Sequence, residues 1–427
     1  LHHLFQRLRG VLSGNVLALG LVSLFTDFSS EMIYPLLPVF FTGLVVPAAA
    51  AIYIGTMDGM ADSVSSLLKV VCGHMSDRSD RRKSLALAGY GLSTLARPLM
   101  AAAGAGWQVI GLRFLDRVGK GIRTAPRDAL IGRSTLPHRR AFSFSFHRMM
   151  DHIGAVAGPL VAIGFLSMVL GYDLLWRQGN GAATAGEMAA LRWLFLLALL
   201  PGMGAFLILL LGVREVPQAE LPGDGDHSGV LIERATPLRN RRFRRYLVAF
   251  TLFALGNSSD LFLIFFAQTR FGLGMGYLIV LWVFLHLAKV FWSLPGGWAA
   301  DRWGRRPFIL GGWVIYIAVY LLLPEVLRFF WIPVLLFAYG AYYGLTEGAE
   351  RALMADVVPP EAWGRAYGWY HGLVGLAALP ASLLFGVFWA TLGPRMAFRI
   401  SALLACSALV VLAGVKGGPV SGEKTDV

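Results

Sequence analysis

Gly73-His-Met-Ser-Asp77-Arg78-Ser-Asp80-Arg81-Arg82 and Gly297-Trp-Ala-Ala-Asp301-Arg302-Trp-Gly304-Arg305-Arg306 share a glycine, an acid four residues on, an arginine directly after the acid and a closing Arg-Arg pair. The two stretches lie 224 residues apart. The same offset carries Arg127 onto Arg351 and His147 onto His371. A register kept over that distance is the mark of an internal repeat, so the chain reads as two related halves.

What surrounds the repeated stretch is apolar. The 427 residues are 56% hydrophobic and only 15% charged, against roughly 25% charged in soluble domains. The apolar residues fall in runs of about 20, the length a helix needs to cross roughly 30 Å of hydrocarbon. Twelve such spans fit. The first six are Gly14–Gly43, Ala49–Val71, Leu85–Ala103, Trp107–Gly132, Phe142–Leu170 and Leu191–Gly212. The second six are Tyr246–Gln268, Met275–Trp298, Pro307–Leu323, Trp331–Ala355, Tyr367–Leu392 and Ala397–Val415. The reading is an all-α integral membrane protein: a six-helix half over 1–212, a linker over 213–245 with the polar PGDGDHSG run and the basic RNRRFRR run, a second half over 246–415 and a tail over 416–427.

The formal net charge is +13, which in a soluble protein would suggest nucleic acid. Here the basic residues gather beside span ends: Arg78, Arg81, Arg82 and Lys83, then Arg133, Arg139 and Arg140, the linker arginines, and Arg302, Arg305 and Arg306. All fall on one side of the membrane. By the positive-inside rule that side is the cytoplasm and holds both termini. The first row shows no signal-peptide cleavage pattern, so the first apolar run is expected to stay as a span of the cell (inner) membrane. Two cysteines, Cys72 and Cys406, give neither a disulfide framework nor a cysteine metal site.

The repeated stretches resemble the G-x-x-x-D-R-x-G-R-R signature of the major facilitator superfamily, with Asp80 standing where the family has glycine. The resemblance covers the whole chain through motif, spacing, twelve spans and the long central linker. It implies two pseudo-symmetric six-helix bundles and secondary transport by alternating access. Gly73, Asp77, Arg78, Arg81 and Arg82, with Gly297, Asp301, Arg302, Gly304, Arg305 and Arg306, would then form a gating latch. An Asp at a helix end pairs with arginines and a neighbouring helix terminus in one conformation and loses them in the other. The plain alternative is that these charges only set topology.

Ionisable residues inside a span are costly and mark function by default. Span 1 carries Asp27 and Glu31; span 2 carries Asp58, Asp62 and Lys69; span 5 carries His147, Arg148, Asp151 and His152. In span 4, Arg113, Asp116, Arg117, Lys120, Arg123, Arg127 and Asp128 fall within roughly 140° of one another at 100° per residue. Such a stripe has to line a cavity or pair with spans 1, 2 and 5. The second half is sparser: Asp260 in Ser258-Ser259-Asp260 answers Glu31 in Ser29-Ser30-Glu31, and spans 8 and 10 add His286, Lys289, Glu347, Glu350 and Arg351. A desolvated carboxylate can load and release a proton. Asp27 and Glu31 are the first choices for that role, with Arg113 as counter-charge and a static ion pair as the competing reading. Asp58, Asp62, Arg117, Lys120, Asp151 and Asp260 complete the expected cavity set.

Gly154-Ala-Val-Ala-Gly158-Pro159-Leu-Val-Ala162 in span 5 resembles the G-x-x-x-G-P-x-x-G motif of the superfamily's antiporters, with Ala162 at the last position and Ser145 where a further glycine would stand. Arg117-Val-Gly-Lys120-Gly121 resembles the exporters' R-x-x-Q-G, with Lys for Gln. The resemblance thus implies export of a small organic compound or drug in exchange for protons, by a monomer that needs the bilayer and takes no cofactor, metal or nucleic acid. An anionic metabolite is the competing substrate, because span 4 carries five basic residues. A metal or metal complex at Met57, Met60, His147, Met149, Met150 and His152 is a further one, although methionine in apolar helices is chiefly packing. A non-transporting sensor is the remote alternative. No H-E-x-x-H, G-x-S-x-G or phosphate loop points to an enzyme.

Overall fold

The structure is a computed structural model and describes residues 13–45, 64–79, 81–171, 183–216, 237–273 and 275–415. Most of the linker and all of the tail 416–427 therefore lie outside the described residues, as do Asp58, Asp62, Met57, Met60 and Asp80. The described residues form helices only, grouped as twelve spans in two bundles.

In the first bundle α1 runs Gly14–Glu31 and resumes at Leu37–Thr42, α2 covers 64–79, α3 is Arg82–Leu99, α4 is Gly106–Arg133, α5 is Arg140–Leu170, and α6 is Ala185–Leu197 continued by Leu199–Gly212. In the second, α7 is Arg241–Gly256 resumed at Leu261–Phe271. It is followed by α8 (Met275–Trp303), α9 (Arg305–Leu322), α10 (Trp331–Asp356), α11 (Trp363–Leu392) and α12 (Pro394–Ala413). Eight of these are long and apolar enough by composition to cross a membrane on their own. Among the described residues α2, α3, α4 and α10 are not among the eight; α4 and α10, the fourth span of each half, carry charged and tyrosine-rich stretches.

The repeated stretch is helical where the sequence suggests a loop. Gly73–Ser79 continues α2, and Gly297–Trp303 forms about the last two turns of α8. The chain turns only at Gly304, whose φ of 95° is a left-handed value that a side chain would strain. The charged residues thus lie on helical continuations of the apolar runs.

α1 and α7 both break. Pro35 follows the interruption at Met32–Ile33, and residues Asn257 to Asp260 separate the two pieces of α7. Glu31 ends the first piece of α1 and Asp260 precedes the second piece of α7. Non-helical backbone at membrane depth is tolerated where it faces protein or a cavity, so the paired acids mark the interior of the bundle.

The halves meet along α2 with α11 and along α5 with α8 and α10. Small residues allow it: a Cβ on Gly297 would stand 2.6 Å from that of Ser145, and one on Gly368 would stand 2.7 Å from the Lys69 carbonyl oxygen. Close backbone approach of this kind is how membrane helices associate without a hydrophobic drive between them.

Candidate functional site

Built from α1 outward, the site begins with two carboxylates one helical turn apart. Asp27 and Glu31 line a cavity of about 120 Å³. Behind them stands α5: a Cβ at Gly158 would lie 2.7 Å from the Glu31 Cβ and 2.9 Å from the Met32 nitrogen, and one at Gly154 would lie 3.1 Å from the Asp27 Cβ. The two glycines therefore set the backbone of the acid-bearing helix against α5, while Pro159 lies buried one residue on.

Arg113, Arg117 and Lys120 of α4 line the same cavity, with Tyr34 from the turn after the α1 break. The Arg113 guanidinium sits 4.4 Å from the centre of the Tyr34 ring. Arg113 also donates to Asp116, one turn along its own helix, at 3.0 Å. Among the described residues no ion pair closes on Asp27 or Glu31.

The stripe on α4 is held in place by α3, which the sequence reading leaves out. Arg97 donates through Nε to Asp116 at 3.0 Å and through Nη1 to the Thr26 carbonyl of α1 at 2.8 Å. Arg123 donates to Ser93 Oγ at 2.6 Å and lies over the Tyr90 ring. Arg97 stands in the apolar run Leu85–Ala103, so the cost of an ionisable residue inside a span is the signal that would have found it.

Asp151 lies deeper toward the repeated motifs. It accepts from Ser23 and from Arg148, and Arg148 reaches across to Glu347 of α10 at 2.6 Å. His152 contacts the other Glu347 oxygen at 3.2 Å and His286 of α8 at 3.3 Å. Asp260 is on the far bundle, where it accepts from Lys289 at 2.6 Å and from Tyr339 and Tyr343 at 2.9 Å. The structure thus separates two acids the sequence aligns: Glu31 faces an open cavity and Asp260 is held in a cage.

At the motif face each repeated Asp caps a helix of the opposite half. Asp77 accepts from the backbone nitrogens of Gly364 and Arg365, both at 2.8 Å, and pairs with Arg365 at 3.2 Å and Arg82 at 3.7 Å. Asp301 accepts from Ala141 at 3.0 Å and Phe142 at 2.8 Å, with Arg305 at 3.3 Å. Arg305 and Arg140 both hold Asp356, at 2.7 and 3.0 Å. Both carboxylates sit at the positive end of a helix dipole, the start of α11 and of α5. Arg302 is exposed beside Trp298 and Trp303, and Arg306 bonds the Ala413 carbonyl. The duplicated Arg127 and Arg351 converge on one acid, Asp128 of α4, at 2.8 and 3.6 Å, and His371 joins them at 2.6 Å.

Two bundles, a repeated acid-arginine motif that ties them and a charged internal cavity fit the family model described as Major Facilitator Superfamily, which matches residues 19–288 and 284–426. The chain belongs to the major facilitator superfamily. It is 29% identical over 407 residues to an uncharacterised MFS-type transporter of Methanocaldococcus jannaschii, covering 92% of this chain and 93% of that one. A shorter stretch of 152 residues is 28% identical to the multidrug resistance protein MdtH of Edwardsiella ictaluri and covers 36% of each chain. The fold is similar to that of the fucose:proton symporter FucP of E. coli, with a TM-score of 0.74 at 13% identity over 94% of this chain and 98% of that one. This superfamily member is a multi-pass membrane transporter and not an enzyme.

Proposed function

We propose that the chain exports a small organic compound across the cell membrane in exchange for protons, with the motif face cytoplasmic. The observation that carries this reading is the state of Asp27 and Glu31: two carboxylates on one cavity wall, with no ion pair closed on them among the described residues. A carboxylate in such a place can trade a proton against a solute as the cavity changes sides. The glycines that resemble the antiporter motif lie directly behind these two acids, which links motif to chemistry. The partial likeness to a protein named for multidrug resistance points the same way.

The test uses everted vesicles in which respiration sets an acid interior, followed with an acridine dye. A panel of lipophilic amines and aromatic drugs should include compounds that release protons from vesicles holding the wild-type chain. Asp27→Asn or Glu31→Gln should abolish that release while binding persists. If both variants still drive uphill movement, these acids do not couple protons.

A second reading, transport of an organic anion, is supported by the lining itself, where five basic residues face three acids. It predicts that Arg117→Ala and Lys120→Ala abolish uptake of the anionic members of the panel. Unchanged affinity in both variants counts against it.

A further inference from the structure

The cage around Asp260 is not used by the proton-coupling scheme, and its chemistry is that of a cation receptor already filled. Lys289 Nζ lies 2.6 Å from Asp260 Oδ2 and 3.7 Å from the centre of the Tyr343 ring. The Tyr339 and Tyr343 hydroxyls each donate to Asp260 Oδ1 at 2.9 Å, fixing the carboxylate so that its other oxygen faces the ammonium. A ring face and an oriented carboxylate are the two elements that recognise an ammonium group. Asp260 occupies the break in α7, and its side chain keeps 13% exposure while that of Lys289 keeps 4%. The lysine therefore plugs a site whose acid is still open at one edge.

A lysine is a poor permanent occupant of such a place. Its compact ammonium is strongly hydrated in water, its four-carbon stem is flexible, and the tether is all that brings it here. An organic ammonium carrying apolar substituents gives up less hydration on entering an aromatic site. We infer that Lys289 is a tethered stand-in for the substrate, and that the second half binds an organic ammonium compound at Asp260, Tyr339 and Tyr343 by displacing it. Displacement also moves a charge on α8, the helix that carries Gly297 and Asp301 to the other half, so occupancy of the cage and the contact between halves share one rigid element.

The inference rests on the transport reading, and its test reads binding at the second half, whereas that reading is tested by proton-driven movement through Asp27 and Glu31. Full-length protein in lipid nanodiscs is titrated calorimetrically with benzyltrimethylammonium, and with phenylacetate as the anionic counterpart. Lys289→Met keeps the volume of the stem and leaves Asp260 without its cation. It should tighten benzyltrimethylammonium binding about tenfold, because a buried carboxylate left unpaired gains most from an incoming cation. Asp260→Asn/Lys289→Met, which is neutral at both positions, should lose the gain, and phenylacetate should show none in either variant.

Amine acetylation of the wild type, read by mass spectrometry, needs no variant to fold. Lys289 should be protected in the free protein and become labelled when benzyltrimethylammonium is present. Unchanged or weaker benzyltrimethylammonium binding in Lys289→Met, equal binding in the double variant, or no rise in labelling overturns the assignment.

Discussion

Arg97 shows how one side chain can bind three helices. It sits on α3, donates to Asp116 of α4 and caps the Thr26 carbonyl of α1, five residues before Glu31. It is buried, as is Asp116. Without Arg97, Asp116 keeps Arg113 at 3.0 Å but loses one charged hydrogen bond, which contributes about 1.5 to 3 kcal/mol, and the Thr26 carbonyl loses its donor. Arg97→Ala is therefore expected to lower the melting temperature of the detergent-solubilised protein and reduce transport. Arg97→Lys should not restore either, since one ammonium cannot reproduce two divergent guanidinium bonds. Asp116→Asn takes the carboxylate from both Arg97 and Arg113 and should melt lower than Arg97→Ala; a higher melting temperature for Asp116→Asn than for Arg97→Ala would mean these pairs are not the stabilising contact.

At the scale of elements, the α1–α5 contact positions both carboxylates. Gly158 has no room for a Cβ beside Glu31, whereas a Cβ on Gly164, six residues along the same helix, would meet nothing within 4 Å. Overpacking a close contact costs about 1 to 3 kcal/mol, and here it would also push Glu31 off its cavity wall. Gly158→Val should abolish transport and lower thermal stability, with Gly164→Val as the control that leaves both near wild type. Equal behaviour of the two variants would show that helix propensity, and not the contact, matters.

Much of this scale was legible in the sequence. Apolar runs of span length, basic residues gathered at one set of span ends and a repeat in fixed register give twelve helices in two halves; of the α4 stripe, Arg113 to Arg123 line a cavity with Asp27 and Glu31, while Asp128, paired with Arg127, meets Arg351 and His371 of the other half. What escaped is set by side-chain contacts between helices. Arg97 meets Asp116 through packing of α3 on α4. Arg127 and Arg351 look like equivalent repeats, yet both turn to Asp128, for which the second half has no matching acid. Asp260 aligns with Glu31, yet it is held by Lys289 of α8 within its own half while Glu31 lines the cavity.

For the whole molecule, the decisive quantity is the balance between conformations. In this one the halves are joined at the motif face by two reciprocal helix caps, Asp77 on α11 and Asp301 on α5, and by polar contacts reaching His152. His152 lies twelve residues into α5, about 18 Å from its start at 1.5 Å per residue. A hydrogen bond to a charged group contributes about 1.5 to 3 kcal/mol, so losing one cap should shift a two-state balance by tenfold or more toward the state open at this face. The shift can be read as a distance. Leu136 and Arg302 are exposed on this face in opposite halves, and spin labels on cysteines at both positions, with Cys72 and Cys406 replaced by serine, report their separation. Asp77→Ala and Asp301→Ala should each add a longer component, and the double variant should make it dominant. Because the two caps act on different helices, their effects should be near additive in free energy. A distribution unchanged in the double variant would mean that the polar contacts at Glu347 and Asp128, and not the repeated motif, hold this face shut.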